Sequence, residues 1–470
     1  MKRVVVTGIG AVSSLGNSFH ESWTSVKKGL SGIAPLTRFD VPPMKWKMSG
    51  ELKGFDAGLY LSEKEMTHLD PFVQYAVAAS FMAAEDAGLA SQGLGIRGQG
   101  LEGKNKVSSL VNSHSLLSSG VKDPKLRTLN SELSSAGVII GSSRGGITTI
   151  EQAIIKQENS GCRIQDAGFR IKTVKTPNSQ LPTHNFHLSP YLMPSTSINM
   201  ASSYVAQKLG IKGYCLGISN ACSSGANAIG EAYRLIKSGY DGPVFAGGTE
   251  APICRLCVEG YGVSGALSKM NDASASRPFD KTRDGFVLAE GASVLVLEDY
   301  ESALKRGARI YGEIIGYGNT TDAFHQTRPS AEGEARAIRI AMEEGGLSLE
   351  DVDYINAHGT STSLGDKAET EAIKLAFGKR AYGIPISSVK SMTGHMLAAS
   401  GAFEAAVTLM SIYEGIIPPT INLKAKDPEC DLNYITETGK AEIKTAVSNS
   451  FGFGGVNAVL AFRRTADSVG

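Results

Sequence analysis

The chain has 470 residues, with 47 Lys and Arg against 46 Asp and Glu, so a net charge of +1 offers no bulk attraction for nucleic acid or an anionic membrane. Hydrophobic residues at 42% and charged residues at 20% exclude a disordered chain and supply apolar material for large cores. No apolar run approaches the ~20 residues of a membrane span, and 54 glycines, about 11% against a usual ~7%, point to tight turns and close backbone approaches.

In chain order, residues 3–10 (RVVVTGIG) are β-branched and end in glycine, as a buried strand entering a turn should be. The apolar stretch meets Gly and Ser too soon for a secretory leader, so we read it as a first strand. Residues 74–89 carry apolar positions at helical spacing and stop at Gly-Leu. Residues 92–135 are rich in Ser, Gly, Lys and Asn without periodicity and read as a long inserted surface loop. A strand follows at 137–143, then a second irregular insert at 159–190. His184 and His187 in that insert have no acidic or thiol partner and make a weak metal site.

Residues 214–218 form a short apolar strand that runs into small residues and then a helix beginning near Cys222. A helix N-terminus presents unpaired N–H groups that favour a thiolate, lowering a thiol from about 8.5 toward ~3.5–7.5. Nucleophile and buried structural cysteine both remain open from this segment alone. Cys254 and Cys257 form a CxxC pair, but with no second pair and no thioredoxin-like helix start expected, they read as half-buried thiols. The six cysteines show no disulfide framework and fit a reducing compartment.

The second half echoes the first. Residues 309–318 resemble 3–10, residues 334–347 resemble 74–89, and 352–359 resemble 137–143. Residues 400–415 align with 224–239 at a constant offset of 176. Four similar units in one order predict a duplicated βαβα half, with parallel strands and helices packed over them. His358 falls just past a strand end, where such sheets assemble their sites. His395 falls at or just inside the start of the helix that echoes the Cys222 helix, so a pseudo-twofold fold brings both helix starts to one centre. Lys390 and Glu404 flank His395 and can pair, either structurally or to set the field around the histidines. In 448–457 (SNSFGFGGVN), Gly452, Gly454 and Gly455 flank Phe453, permitting close approach and motion; the run is no nucleotide fingerprint.

The set NACSSG, NAHGTST, KSMTGHMLAASGA and SNSFGFGGVN resembles the β-ketoacyl-acyl carrier protein synthases, above all the elongating synthase II group with its Cys–His–His site. The likeness runs from the first strand to the final GFGG, leaving out the two inserts. It implies an α/β, thiolase-like, five-layered αβαβα sandwich of two duplicated halves, each with a mixed sheet. Residues 1–300 would carry the nucleophile and 301–470 both histidines. Cys222 would accept an acyl chain from an acyl carrier protein, and its N–H with that of Phe453 would form the oxyanion hole. His358 and His395 would stabilise the enolate left when a malonyl carrier loses carbon dioxide. Phe453 would act as a gate beside Gly452 and Gly454. Lys390 and Glu404 would support the His395 side, Thr360 and Thr362 would line the pantetheine tunnel, and Asp366 and Glu369 would be structural.

No metal and no organic cofactor is implied. The expected partners are acyl- and malonyl-loaded carrier protein and a second copy of the chain, in the cytoplasm. A ketosynthase of a polyketide or other specialised acyl pathway is the alternative, since the fatty acid group often has Thr after its active-site Cys-Ala, where this chain has Cys222-Ser223-Ser224. Two further departures are Val456 in place of a hydroxyl residue, and Thr67 and His68 in a helix that in the family often carries basic residues for the acidic carrier.

Overall fold

The computed structural model describes residues 1–39, 44–90, 133–159 and 188–466, so the inserts expected at 92–135 and 159–190 lie almost wholly outside the described residues. In the first half, β1 (Val4–Val12), β2 (Gly137–Gly141), β3 (Cys215–Ile218), β4 (Val244–Glu250) and β5 (Gly291–Asp299) form one sheet. In the second, β6 (Gly312–Thr321), β7 (Tyr354–Asn356), β8 (Ile386–Ser387), β9 (Thr445–Gly452) and β10 (Val456–Arg463) form another. The strand order is β3-β2-β4-β5-β1-β6-β10-β9-β7-β8. Read outward from the centre, the two halves have the same order. They also have the same senses: two antiparallel pairings and then two parallel ones. The sheets are therefore mixed, because β5 and β10 return beside their first strands. The two five-stranded sheets are hydrogen-bonded edge to edge into one run of ten strands, with Val4–Val6 antiparallel to Gly312–Ile314.

The helices fill the other three layers. Between the sheets lie α3 (Ser224–Lys237) and α7 (Ala398–Glu414), and their apolar faces share one core with both sheets. Outside the first sheet lie α1 (Pro71–Asp86) and α2 (Met200–Leu209) over a second core. Outside the second sheet lie α5 (Ala331–Glu344) and α6 (Ser363–Phe377) over a third. The result is the five-layered, thiolase-like sandwich of duplicated halves. Caps define these helices locally: Asp70 accepts from the Phe72 N–H with Pro71 in the first turn, and Thr362 accepts from the Gly365 N–H.

The glycine excess has a specific use. On β1, a Cβ at Gly8 or Gly10 would sit 2.3 or 2.0 Å from carbonyls of α1; on β6, one at Gly316 or Gly318 would sit 2.0 or 1.9 Å from carbonyls of α5. The same close strand–helix approach is thus built twice. At the molecular centre, Gly225 of α3 and Gly401 of α7 are partners under the 176-residue offset. A Cβ on Gly225 would lie 2.4 Å from the Ala398 carbonyl oxygen, and one on Gly401 would lie 2.6 Å from Ser450 Oγ. Backbone cannot retreat from such a contact without moving the helix that carries the site. Gly225→Ala should therefore lower stability by about 1–3 kcal/mol through overpacking. An unchanged urea midpoint for this variant would contradict the crossing geometry.

Candidate active site

Cys222 occupies a helical turn, Ala221–Ser223, between β3 and α3. The turn is strained: Ala221 has φ +49°, a region an alanine enters only at a cost of ~1–2 kcal/mol. Local hydrogen bonds hold it, from the Asn220 N–H to Ser224 Oγ (2.8 Å) and from Ser223 Oγ to the Asn220 carbonyl (2.8 Å). The expected low thiol pKa is not found. Burial pushes the Cys222 thiol up to about 11, and this outweighs Lys390, Arg144 and the Phe453 N–H directed at the sulfur, all of which act to lower it. The helix start supplies donors, but the thiol of a residue only 8% exposed loses more by leaving water.

His358 follows β7. The carboxylate of Glu369, on α6, accepts the N–H groups of His358 (2.8 Å) and Gly359 (2.7 Å), while Asn449 donates to it (3.0 Å). The Lys390 ammonium donates to His358 Nδ1 (3.2 Å), to the His358 carbonyl oxygen (2.7 Å) and to Glu404. With Nδ1 accepting, the His358 proton resides on Nε2. The lysine–glutamate pair therefore supports His358, not His395 as its sequence position suggested.

His395 differs from expectation in a second way. It lies in the segment between the helical turn Lys390–Thr393 and α7, three residues short of that helix. Its backbone pairs with the first half, the N–H donating to the Val287 carbonyl (2.7 Å) and the carbonyl accepting from Ala289 (2.9 Å). Ser400 Oγ accepts from the Met396 N–H (2.9 Å), leaving its own proton for His395 Nδ1 (3.1 Å). This again assigns the ring proton to Nε2. The two imidazoles stand 5.4 Å apart between centroids at 85°. Burial, reinforced by Lys390, holds both well below the usual histidine value, and the charge of His395 further lowers His358. Both are neutral donors at physiological pH.

One cavity of about 630 Å³ is lined by Cys222, His358, His395, Thr360, Thr362, Gly452, Phe453 and Gly454. Lys390 and Glu404 stand behind its wall, and burial pushes the Glu404 carboxyl up to about 7 despite Lys390 beside it. Phe453 tips the hairpin between β9 and β10, 38% exposed. Gly454 and Gly455 adopt φ +89° and +71°, and the tip is tied to residues 322–326 by bonds from Gly454 N–H to the Gln326 carbonyl and from Asp322 N–H to the Gly455 carbonyl.

Three features escaped the sequence reading. Cys254 caps α4 (Arg255–Val263), so the CxxC pair does sit at a helix start, with both cysteines buried. Glu250 at the end of β4 accepts from the Ser143 and Arg144 N–H groups, as Glu369 does from His358 and Gly359. Ser400 orients His395. Only Ser400 had a local signal, five residues after the histidine.

A thiol displaced to about 11 has a simple consequence: its thiolate fraction grows about tenfold per pH unit below that value. Inactivation by iodoacetamide at Cys222 should accelerate in that proportion from pH 7 to 9. A plateau below pH 8 would contradict the burial effect.

The chain matches the model of the beta-ketoacyl synthase N-terminal domain over residues 1–101 and 111–303, and that of the C-terminal domain over residues 311–424. It is 42% identical over 468 residues to 3-oxoacyl-[acyl-carrier-protein] synthase 2 of Synechocystis sp., covering 98% of each chain. Among solved structures it is similar to the ishigamide ketosynthase/chain length factor, with TM-score 0.82 and 30% identity over 99% of this chain and 100% of that one. It is also similar to the AntDE:AntF complex, a type II PKS acyl-carrier protein with its ketosynthase bound to the hexaketide, with TM-score 0.79 and 32% identity over 99% of each chain.

Proposed function

The chain belongs to the β-ketoacyl synthase family, and from that premise we propose how its residues divide the work of a 3-oxoacyl-acyl carrier protein synthase 2. The enzyme condenses an acyl group with malonyl-acyl carrier protein in fatty acid chain elongation; a specialised polyketide role is not favoured by relatives at 40–42% identity. In the first half-reaction Cys222 Sγ attacks the acyl thioester, the carrier thiol leaves, and an acyl-Cys222 thioester of similar energy remains. The N–H groups of Cys222 and Phe453 receive the oxyanion.

Malonyl-acyl carrier protein then enters past Phe453. The Nε2–H groups of His358 and His395 bind its thioester oxygen, and as the carbon–carboxylate bond breaks they hold the enolate oxygen. The enolate carbon attacks the acyl carbonyl, the Cys222 sulfur departs, and 3-oxoacyl-acyl carrier protein and carbon dioxide are released. What supports this reading is that both imidazoles have Nδ1 engaged by protein groups, are neutral, and share a cavity with the thiol. Neutral donors stabilise an enolate without surrendering a proton to it. Thr360, Thr362, Gly452 and Gly454 line the approach, while Lys390 and Glu404 position His358.

The domain division follows the strands: every strand of the first sheet precedes residue 300 and every strand of the second follows it, which supports a boundary at 300/301. A homodimer is supported by the asymmetry of the outer edges. The residues of β3 are exposed or half-exposed and follow the exposed Tyr214, whereas the equivalent β8 is buried. An open edge with apolar neighbours is a pairing surface. Among the described residues no helix is long and apolar enough to cross a membrane, and the five described cysteines are free thiols, supporting a cytoplasmic site.

Cys222→Ala should abolish condensation yet retain malonyl decarboxylation, while His395→Ala should lose about 10²–10³ in decarboxylation rate; release of labelled carbon dioxide measures both. An unaltered rate for the histidine variant would remove it from this role. Leu216→Asp, on the open edge, should convert a dimer into monomer in light scattering; a wild-type mass for the variant would move the interface elsewhere.

A further inference from the structure

On the wall of the catalytic cavity, Arg144 and Tyr261 form a polar pair on a lining that includes the apolar Ile147, Leu256, Phe286 and Leu397 together with Ser264, Asp284 and Arg328. The backbone of Arg144 is fixed. Its N–H donates to the buried Glu250 carboxylate at 2.9 Å, and the preceding Ser143 N–H donates to the same group at 2.8 Å. The guanidinium lies over the Tyr261 ring, 5.1 Å from its centroid, and donates to the phenol oxygen from Nε (2.8 Å) and Nη2 (2.5 Å).

Tyr261 is buried and touches both ends of the chemistry. Its ring is 5.5 Å from Phe286, which packs edge-on against His395 at 5.1 Å, and 6.5 Å from Phe453. The arginine charge reaches Cys222 electrostatically.

The pair is donor-rich, and Glu250, whose charge acts on Arg144 through space, accepts its backbone N–H and not its guanidinium. Two guanidinium N–H groups fill the lone pairs of the phenol oxygen, which leaves the phenol proton and the Nη1 protons without a protein acceptor among the described residues. No described carboxylate forms an ion pair with Arg144, although several line the same cavity. Asp284 pairs with Arg277, Asp322 accepts from Ser330 and Asn457, and Glu369 is committed to the His358 turn. Arginine keeps its charge in any setting. A plain hydrocarbon laid along this wall would strip water from those donors and replace nothing. An oxygen on the chain would satisfy them.

We propose that Arg144 and Tyr261 form an oxygen-binding subsite for the acyl group, so that the preferred acyl donor carries a carboxylate or carbonyl oxygen along its chain. The proposal rests on the reading above that Cys222 carries the acyl group; it narrows the class of chain accepted. Subsites built to bond an oxygen reject the analogue lacking it far more strongly than apolar pockets reject an extra methylene.

The test is acylation of Cys222, followed by intact mass, with matched carrier-protein thioesters: hexanoyl, oxo-hexanoyl and adipoyl, and decanoyl beside sebacoyl. At one or both lengths an oxygen-bearing chain should load at least about tenfold faster than its hydrocarbon match. Arg144→Leu should reverse the order, and Tyr261→Phe, which keeps the ring, should narrow the ratio. A carboxylate preference over the ketone identifies an ionic contact, and equal preference identifies a hydrogen-bonding one; each supports the subsite. Equal or faster loading of hydrocarbons by the wild type, or a ratio unmoved in both variants, overturns the subsite and leaves the condensing function standing. Failure of every thioester to modify Cys222 overturns both.

Discussion

A buried ammonium organises this active site. Lys390 is about 1% exposed, and its three protons have three acceptors: the ring nitrogen of His358, the carbonyl of the same residue, and Glu404. A charge withdrawn from water is tolerable only when paired and fully bonded. Meeting that condition fixes the tautomer of His358 and holds the imidazole neutral beside a cation. The field that stabilises enolate oxygen is thus paid for in folding, before any substrate arrives.

The second organising device is the carboxylate clamp. After β2, two successive N–H groups at Ser143 and Arg144 point to Glu250; after the equivalent β7, those of His358 and Gly359 point to Glu369. The clamps are alike although the carboxylates come from different elements, a strand end in one half and a helix in the other. The halves therefore keep one backbone solution and use it differently. One turn presents an imidazole, and the other presents a guanidinium on the same cavity.

Much of this was legible in the sequence because the duplication is written in local patterns. The glycine-bearing strands, which run on past Gly10 and Gly318 where a turn was expected, and the helices with their glycine stops show in short stretches of chain, and the 176-residue offset of Gly225 and Gly401 shows in comparing two such stretches. The approach of Cys222 and His395 followed from superposing the two halves, while His358 joined them through its place at a strand end and the likeness of the four motifs to the ketosynthases. What escaped depends on distance or on competing energies. Glu250 lies more than a hundred residues from the turn it clamps, so no spacing announces it. Lys390 stands near His395 in sequence but across from His358 in space, because the chain turns between residue 393 and α7. The thiol at its helix start has a dipole in its favour and burial against it, and only the depth of burial decides which wins. Cys254 and Cys257 showed their spacing but not the helix that begins between them.

The seam between the sheets has a consequence for how the molecule comes into being. Val4–Val12 leaves the ribosome well before its two neighbours, residues 291–299 and 312–321, which are synthesised some three hundred residues later. Until then a valine-rich ribbon has no sheet to join, and loop closure on that scale is slow. The nascent chain must therefore shelter this strand while the intervening residues are made, which makes co-translational protection a requirement of the architecture.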